Sequence, residues 1–413
     1  MAGLIDLPPE LILHLISFLT CEKILDKDNC ILGRPRGYYK PRVIELVPDL
    51  PSINSLSQTA TVFHRTLDEA LYKLGASSET LGQLALLSTV KRQLENAVER
   101  LVAAGVSLQA QFLFEYSLEC TVLHIAAGLG LRDMVVKLLG MCGEEMVHRR
   151  AEGRPGRTAL DYAARNNHLE IVKLLAPIPV PDSSTRNGVP LPDTIEAQYL
   201  SIALLAAVQV GNTEVSEYLV SEGADVNFLA LWAGGTPLSY AAKTKNLGLV
   251  QFLVSAGADP NLQANNTIPL FNATLTRNLE IVQALVAAGA DIHVQSRDQH
   301  NVLVCCATVE LLRFFLERGV DPNLEDRDGN TPLHHVCARA KTEFAAAAVE
   351  LLLRFGAAVT VEKPGQYGFT PVDIAVARYD TETLELLEPL VQDTDLKGKI
   401  AARWKELEER NPK

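Results

Sequence analysis

Large aromatic side chains are scarce in this sequence. Two Trp, twelve Phe and ten Tyr make up 6% of its 413 residues, whereas the apolar fraction is 47%. The hydrophobic material is therefore mostly Leu, Ala and Val, which suits thin helical layers packed through small residues. Positive charge is short as well: 38 Lys and Arg face 50 Asp and Glu, a formal net charge of -12. That balance argues against general nucleic-acid binding, which needs a basic face. Cysteine is sparse and odd in number, seven residues scattered from Cys21 to Cys337. This is no disulfide framework, and a reducing compartment, cytosolic or nuclear, is the expectation. Long apolar runs are missing too, since no window approaches the roughly 18 uninterrupted residues of a membrane span. The apolar N-terminal stretch has no basic residue before it and is interrupted by Asp6, Glu10 and His14, unlike a signal peptide. Charged residues are only 21% of the chain, which excludes a mainly disordered protein. The length is two to three ordinary domains or one extended array.

Repetition is what the sequence has in abundance. Thr331-Pro-Leu-His334 recurs in weaker form at Thr121-Val-Leu-His124, Thr158-Ala-Leu160, Ile202-Ala-Leu204, Thr236-Pro-Leu238, Ile268-Pro-Leu270, Asn301-Val-Leu303 and Thr370-Pro-Val372. A second string, Gly223-Ala-Asp-Val-Asn227, follows its anchor by about 21 residues and returns at Gly257, Gly289 and Gly319. Thr can cap a helix, and Pro has the φ of a first turn. The Ala126-Ala127, Ala163-Ala164 and Ala241-Ala242 pairs leave room for a neighbouring helix. Leu-Glu-Ile-Val at 169–172 and 279–282 opens a second helix, and Gly accepts the left-handed conformation that ends it.

Two signals at a constant mutual distance resemble the ankyrin-repeat family, over roughly residues 80–393. The fold class expected is all-α: a solenoid of helix-turn-helix units with projecting loops, preceded by a small helical module. Eight units carry an anchor, and an atypical one, residues 80–115, precedes them. Counted from the atypical unit, the third unit runs into a Pro-rich insertion at 177–196, expected to be an extended surface loop. The seventh lacks about three residues between its helices, and the eighth has about four extra around Phe344 to Ala348. Residues 394–413 form a charged tail or capping helix, with Ile400, Trp404 and Leu407 at helical spacing.

Residues 1–75 are of another kind. Asp6 can cap a helix opened by Pro8 and Pro9, with Leu11, Ile12, Leu15, Ile16 and Leu19 on its apolar stripe. Leu7-Pro-Pro-Glu-Leu11, ending in Phe18-Leu19, looks like the opening of an F-box, and Leu56-Ser-Gln-Thr59 through His64 resembles its second half. The resemblance implies docking on the Skp-family adaptor of a cullin-RING ubiquitin ligase through Leu7, Pro8, Glu10, Leu11, Ile12, Ile16 and Phe18. The halves are separated by an insert, 23–49, whose segment 34–42 carries four positive charges, no acid and two tyrosines. That segment is either a solvated loop or a contact for nucleic acid, nuclear import or an acidic partner.

Motifs of chemistry are few. His334-His335-x-Cys337, with Cys305 and Cys306, is the best metal candidate, yet paired Cys spacings are missing and His334 belongs to the turn. No Walker-type loop occurs. The expectation is a non-enzyme, with no cofactor and no catalytic or metal site. Family geometry instead implies that loops and first helices hold a target protein, through Trp232, Lys243, Arg297, Asp298, His300, Arg327, Asp328, Arg339 and Tyr367. The resulting expectation is a substrate receptor, monomeric outside its complex and without a membrane partner. The alternative is an ankyrin scaffold or regulatory protein with no ubiquitin-ligase role.

Overall fold

A side chain three residues into each helix decides how the Thr anchors work. Thr121 and Thr331 face a His at that position, whereas Thr158 and Thr370 face an Asp. In all four the residue reaches back to the Thr backbone amide and closes a capping box, which satisfies amide groups that the first turn leaves without helical partners.

The computed structural model describes residues 20–25, 43–48, 79–114, 117–143, 146–151, 156–178, 194–229, 234–265, 267–339 and 343–410. They fall into two units, 1–207 with 221–223 and 208–220 with 224–413. In the first, β1 (Thr20–Leu25) and β2 (Val43–Pro48) pair antiparallel, Thr20 opposite Pro48 and Leu25 opposite Val43. The insert expected as a loop is thus strand-paired at its ends, where Val43-Ile-Glu-Leu-Val47 is rich in β-formers. Next come α1 (Glu79–Lys91) and α2 (Glu95–Ala103), and a short hairpin of β3 (Phe112–Phe114) and β4 (Ser117–Cys120). Two helix pairs follow: α3 (Val122–Gly128) with α4 (Arg132–Cys142), and α5 (Ala159–Arg165) with α6 (Leu169–Leu175). Ala126, Ala127, Ala163 and Ala164 are fully buried, and α3 lies against α5, so the small pairs do allow close approach. At the turn between α3 and α4, Gly130 has φ +77 and a Cβ there would meet the His168 ring at 2.5 Å, so only glycine fits.

Helix α7 (Thr194–Val210) begins earlier than the Ile202 anchor suggested. Between Pro192 and the anchor there is no proline, and Thr-Ile-Glu-Ala-Gln-Tyr-Leu continues the helical pattern backwards from the anchor. The last three residues of the Pro-rich insertion are therefore helical, while 179–193 lie outside the described residues.

The second unit continues with α8 (Thr213–Ser221), α9 (Pro237–Ala241), α10 (Leu247–Ser255), α11 (Pro269–Leu275) and α12 (Leu279–Ala287). It ends with α13 (Val302–Cys305), α14 (Val309–Leu316), α15 (Pro332–Ala338), α16 (Glu343–Arg354), α17 (Pro371–Arg378), α18 (Thr381–Leu387) and α19 (Thr394–Arg410). Its Gly-x-Asp-x-Asn strings do more than turn the chain. Asn227 donates to the Gly257 carbonyl at 3.0 Å and accepts the Asp259 amide at 2.8 Å, and Asn261 repeats both bonds to Gly289 and Asp291. The ladder thus ties two consecutive units to their successors, and is interrupted where His293 takes the place of the Asn. Asn323 keeps the bond to the Gly356 carbonyl, but its Oδ1 is a buried acceptor without a partner. Here the next unit has Ala358 in place of Asp, and residues Ala357–Thr360 wind into a 3-10 turn that redirects the amides. At the C-terminal end α19 packs on α17, burying Leu396 and Ile400, while Trp404 donates its indole N–H to Glu388 at 3.1 Å.

Candidate protein-interaction surface

Three consecutive loops of the second unit are joined edge to edge. The Arg327 amide donates to the Asp298 carbonyl at 3.0 Å, and the Gln366 amide donates to Asn330 Oδ1 at 3.0 Å. Gln366 Nε2 also reaches Asp328 at 3.3 Å, and Lys363 pairs with Glu325. Six of the nine residues expected to hold a target stand on this row: Arg297, Asp298, His300, Arg327, Asp328 and Tyr367. Tyr367 is its most exposed aromatic, 86% accessible, and its φ of +60 is unusual for a bulky residue. Asn265 and Gln299, in earlier loops of the same unit, share this positive φ.

The other three sit elsewhere. Lys243 is exposed at the end of α9 with its ammonium 5.3 Å from the Tyr240 ring centroid. Trp232 lies outside the described residues, as do Leu7, Pro8, Glu10, Leu11, Ile12, Ile16 and Phe18. Arg339 has an internal role. The missing residues of the seventh unit, anchored at Asn301, cut α13 to one turn, and the guanidinium of Arg339 from the next unit donates to the carbonyls of Val304 and Cys306. It supplies donors for carbonyls that a longer helix would have bonded itself. Arg339→Ala is expected to destabilise the chain by about 1.5–3 kcal/mol, read as a lower urea midpoint. Arg339→Lys should recover little of this, because a compact ammonium lacks the planar fork that spans two acceptors.

The residues of the metal motif are dispersed to other tasks. His334 accepts the Thr331 amide on Nδ1 at 3.1 Å, which leaves Nε2–H to donate to the Lys363 carbonyl at 3.0 Å. Burial holds its protonation below the ordinary range. Burial also pushes the Cys337 thiol up to about 12 and Cys305 up to about 11, with Cys306 raised further. These groups stay as thiols, which makes them poor nucleophiles and poor metal ligands. His335 instead turns to Asp326 on the loop before α15. Burial alone would raise the Asp326 carboxyl, but the hydrogen bonds from His335 and from the Asn330 and Asp328 amides outweigh it, and the group is held below the usual carboxylate range.

A family model described as ankyrin repeats (3 copies) matches residues 70–183, 203–296 and 299–397, well over half of the chain. The B-cell lymphoma 3 protein homolog of Mus musculus is 32% identical over 147 residues, 36% of this chain and 30% of that protein. The mitochondrial disaggregase of Homo sapiens is 48% identical over 60 residues, 14% of this chain and 8% of that protein. The chain thus spans less than a third of the length of either relative. The crystal structure of the human ASB11 ankyrin repeat domain aligns with a TM-score of 0.46 and 20% identity, covering 57% of this chain and 98% of that one. The boxed Thr anchors, paired small residues, asparagine ladder and the family matches together lead to one conclusion: the chain belongs to the ankyrin-repeat family, whose fold serves as a protein-interaction scaffold.

Proposed function

We propose that this chain is a substrate receptor of a Skp-cullin-F-box type ubiquitin ligase. Residues 1–75 dock the Skp-family adaptor through Leu7, Pro8, Glu10, Leu11, Ile12, Ile16 and Phe18, and the repeats hold the target. The observation that carries this reading is the joining of two F-box-like segments, Leu7 to Leu19 and Leu50 to His64, to an ankyrin array in one chain. The pairing of Thr20 with Pro48 supports it, because an insert whose ends meet can leave the flanking segments adjacent. Free thiols at Cys120, Cys142, Cys305, Cys306 and Cys337 fit a reducing compartment, cytosol or nucleus. The receptor itself makes and breaks no bond. It raises the local concentration of target lysines beside a recruited ubiquitin-conjugating enzyme.

Co-purification with the Skp-family adaptor tests the first half. Wild type should retain the adaptor and a Leu11→Asp, Ile16→Asp double variant should not; equal recovery of both removes the ligase role and leaves a scaffold. For the second half, a target captured by a chain lacking residues 1–75 should bind at least about tenfold more weakly to Arg327→Ala, Tyr367→Ala, the size expected for losing two anchor residues.

A further inference from the structure

Three side chains converge at the middle of the loop row. His300 ends the loop before α13, Asp326 opens the next loop, and His335 stands on α15. Nε2 of His335 lies 2.6 Å from Asp326 Oδ2, and Nε2 of His300 lies 3.4 Å from the same oxygen. All three atoms fall within 4.8 Å of one another. The second carboxylate oxygen accepts the Asp328 and Asn330 amides at 2.9 and 2.8 Å. The turn therefore aims Oδ2 at the imidazoles independently of them. Asn330 Nδ2, at 3.5 Å, is a further polar neighbour of Oδ2. The Asp326 side chain is 3% exposed and forms the floor, while the His300 and His335 side chains, 35% and 26% exposed, form the opening.

We propose that His300, Asp326 and His335 form a binding site for a divalent transition metal, with zinc as the reference ion. Two imidazoles and one carboxylate form a donor set that suits Zn²⁺, Co²⁺ or Ni²⁺, whereas Mg²⁺ and Ca²⁺ take oxygen ligands. Tetrahedral bonds of about 2.0–2.2 Å place neighbouring ligand atoms roughly 3.3 Å apart. The His300 to Asp326 separation already matches this spacing. His335 opens by under an ångström as the metal replaces the proton now shared with Oδ2; the ring loses its Nε2 proton to solvent and carries its one proton on Nδ1, so that it stays a neutral imidazole with the Nε2 lone pair on the metal. Water fills the remaining position from the exposed side. The amides on Oδ1 supply the outer support that fixes a ligating carboxylate. His334 takes no part, since both of its ring nitrogens are committed to Thr331 and Lys363. Metal here ties the loop of Arg297 and Asp298 to the loop of Arg327 and Asp328, so it stiffens the row on which six candidate contacts stand. The site does not depend on any ligase role.

The test uses the full chain, stripped with chelator and titrated with Zn²⁺ alone against a chromophoric competitor, and with Co²⁺ for its visible absorption. Wild type should take up one tight equivalent. His300→Gln and His335→Gln should each weaken it by at least about 100-fold, as for removal of a ligand or its support. Zn²⁺ should raise the melting temperature of wild type and not of His300→Gln, whose substitution sits on a partly exposed loop and leaves the fold in place. Asp326→Asn, which retains an acceptor for the turn amides, should likewise lose the Co²⁺ bands. No tight equivalent in wild type, or an equivalent that survives in the His300→Gln, His335→Gln double variant, overturns the proposal.

Discussion

Tyr162→Ala is expected to destabilise the first unit by about 3–5 kcal/mol. Tyr162 is fully buried, its ring meets His124 edge to face at a centroid distance of 5.9 Å, and its hydroxyl lies 3.3 Å from the Cys120 sulfur. Truncation leaves a cavity between helices held close by the surrounding alanines, which cannot collapse to fill it. Tyr162→Phe separates packing from polarity, since it removes only the hydroxyl and should cost about 0.5–1.5 kcal/mol. Urea midpoints of the two variants measure the split. Near-equal losses would mean that the hydroxyl, and not the ring, holds this position.

Acid should act on the same unit through two groups of opposite sign. His124 is buried, and its Nδ1 accepts the Thr121 amide at 3.1 Å while Nε2–H donates to the Arg149 carbonyl at 2.9 Å. Burial is the main cause that lowers its pKa from 6.5 to about 4, partly offset by the backbone bonds. A proton added to Nδ1 would also face an N–H. The unfolded chain takes up that proton first, so the stabilisation is complete above pH 6.5 and is lost as pH falls toward 4. Asp161 runs the other way. Burial raises it from 3.8 to about 6, with Thr158, Arg150 and Arg157 opposing, and its Oδ1 is buried without a partner. Its neutral form favours the folded state below pH 3.8, and that advantage disappears as pH rises to about 6. Each contribution is about 3 kcal/mol, so in the wild type they nearly cancel. Asp161→Asn keeps an acceptor for the Thr158 amide and removes one of the two titrations. The stability of the variant relative to wild type should therefore be greater at pH 7 than at pH 4 by about 3 kcal/mol. Urea unfolding at four pH values between 4 and 7 reads this directly, and a difference independent of pH would show that Asp161 is not held neutral.

The position four residues after each Thr anchor shows how far the sequence could be read. Ile125, Tyr162, Tyr240 and His335 occupy it in four units, and nothing local distinguishes them. Ile125 and Tyr162 are fully buried, whereas Tyr240 and His335 reach solvent. What separates them is the loop or helix that a neighbouring unit lays over them. His335 is the clearest case. The sequence pairs it with His334 and Cys337, yet in space His334 turns into its own cap and His335 crosses to Asp326. His300, 35 residues away, completes the cluster from the preceding loop. Arg339 likewise reads as a free surface cation until the shortened α13 is seen to need its donors.

Repeat identity, the helix starts at Thr anchors and the small-residue seams were legible in the sequence alone, because they rest on interactions within about ten residues: a Thr with its third neighbour, a Pro with its own φ, a Gly that ends a helix. The sequence also announced the asparagine ladder as a recurrent string without disclosing its purpose, since each bond closes onto a residue about 30 positions away. Only the tertiary structure decided which candidate contacts form one surface, and which polar residues are spent inside the protein. Those outcomes depend on the register of one loop against the next, a property of stacked neighbours that no single unit carries in its own residues.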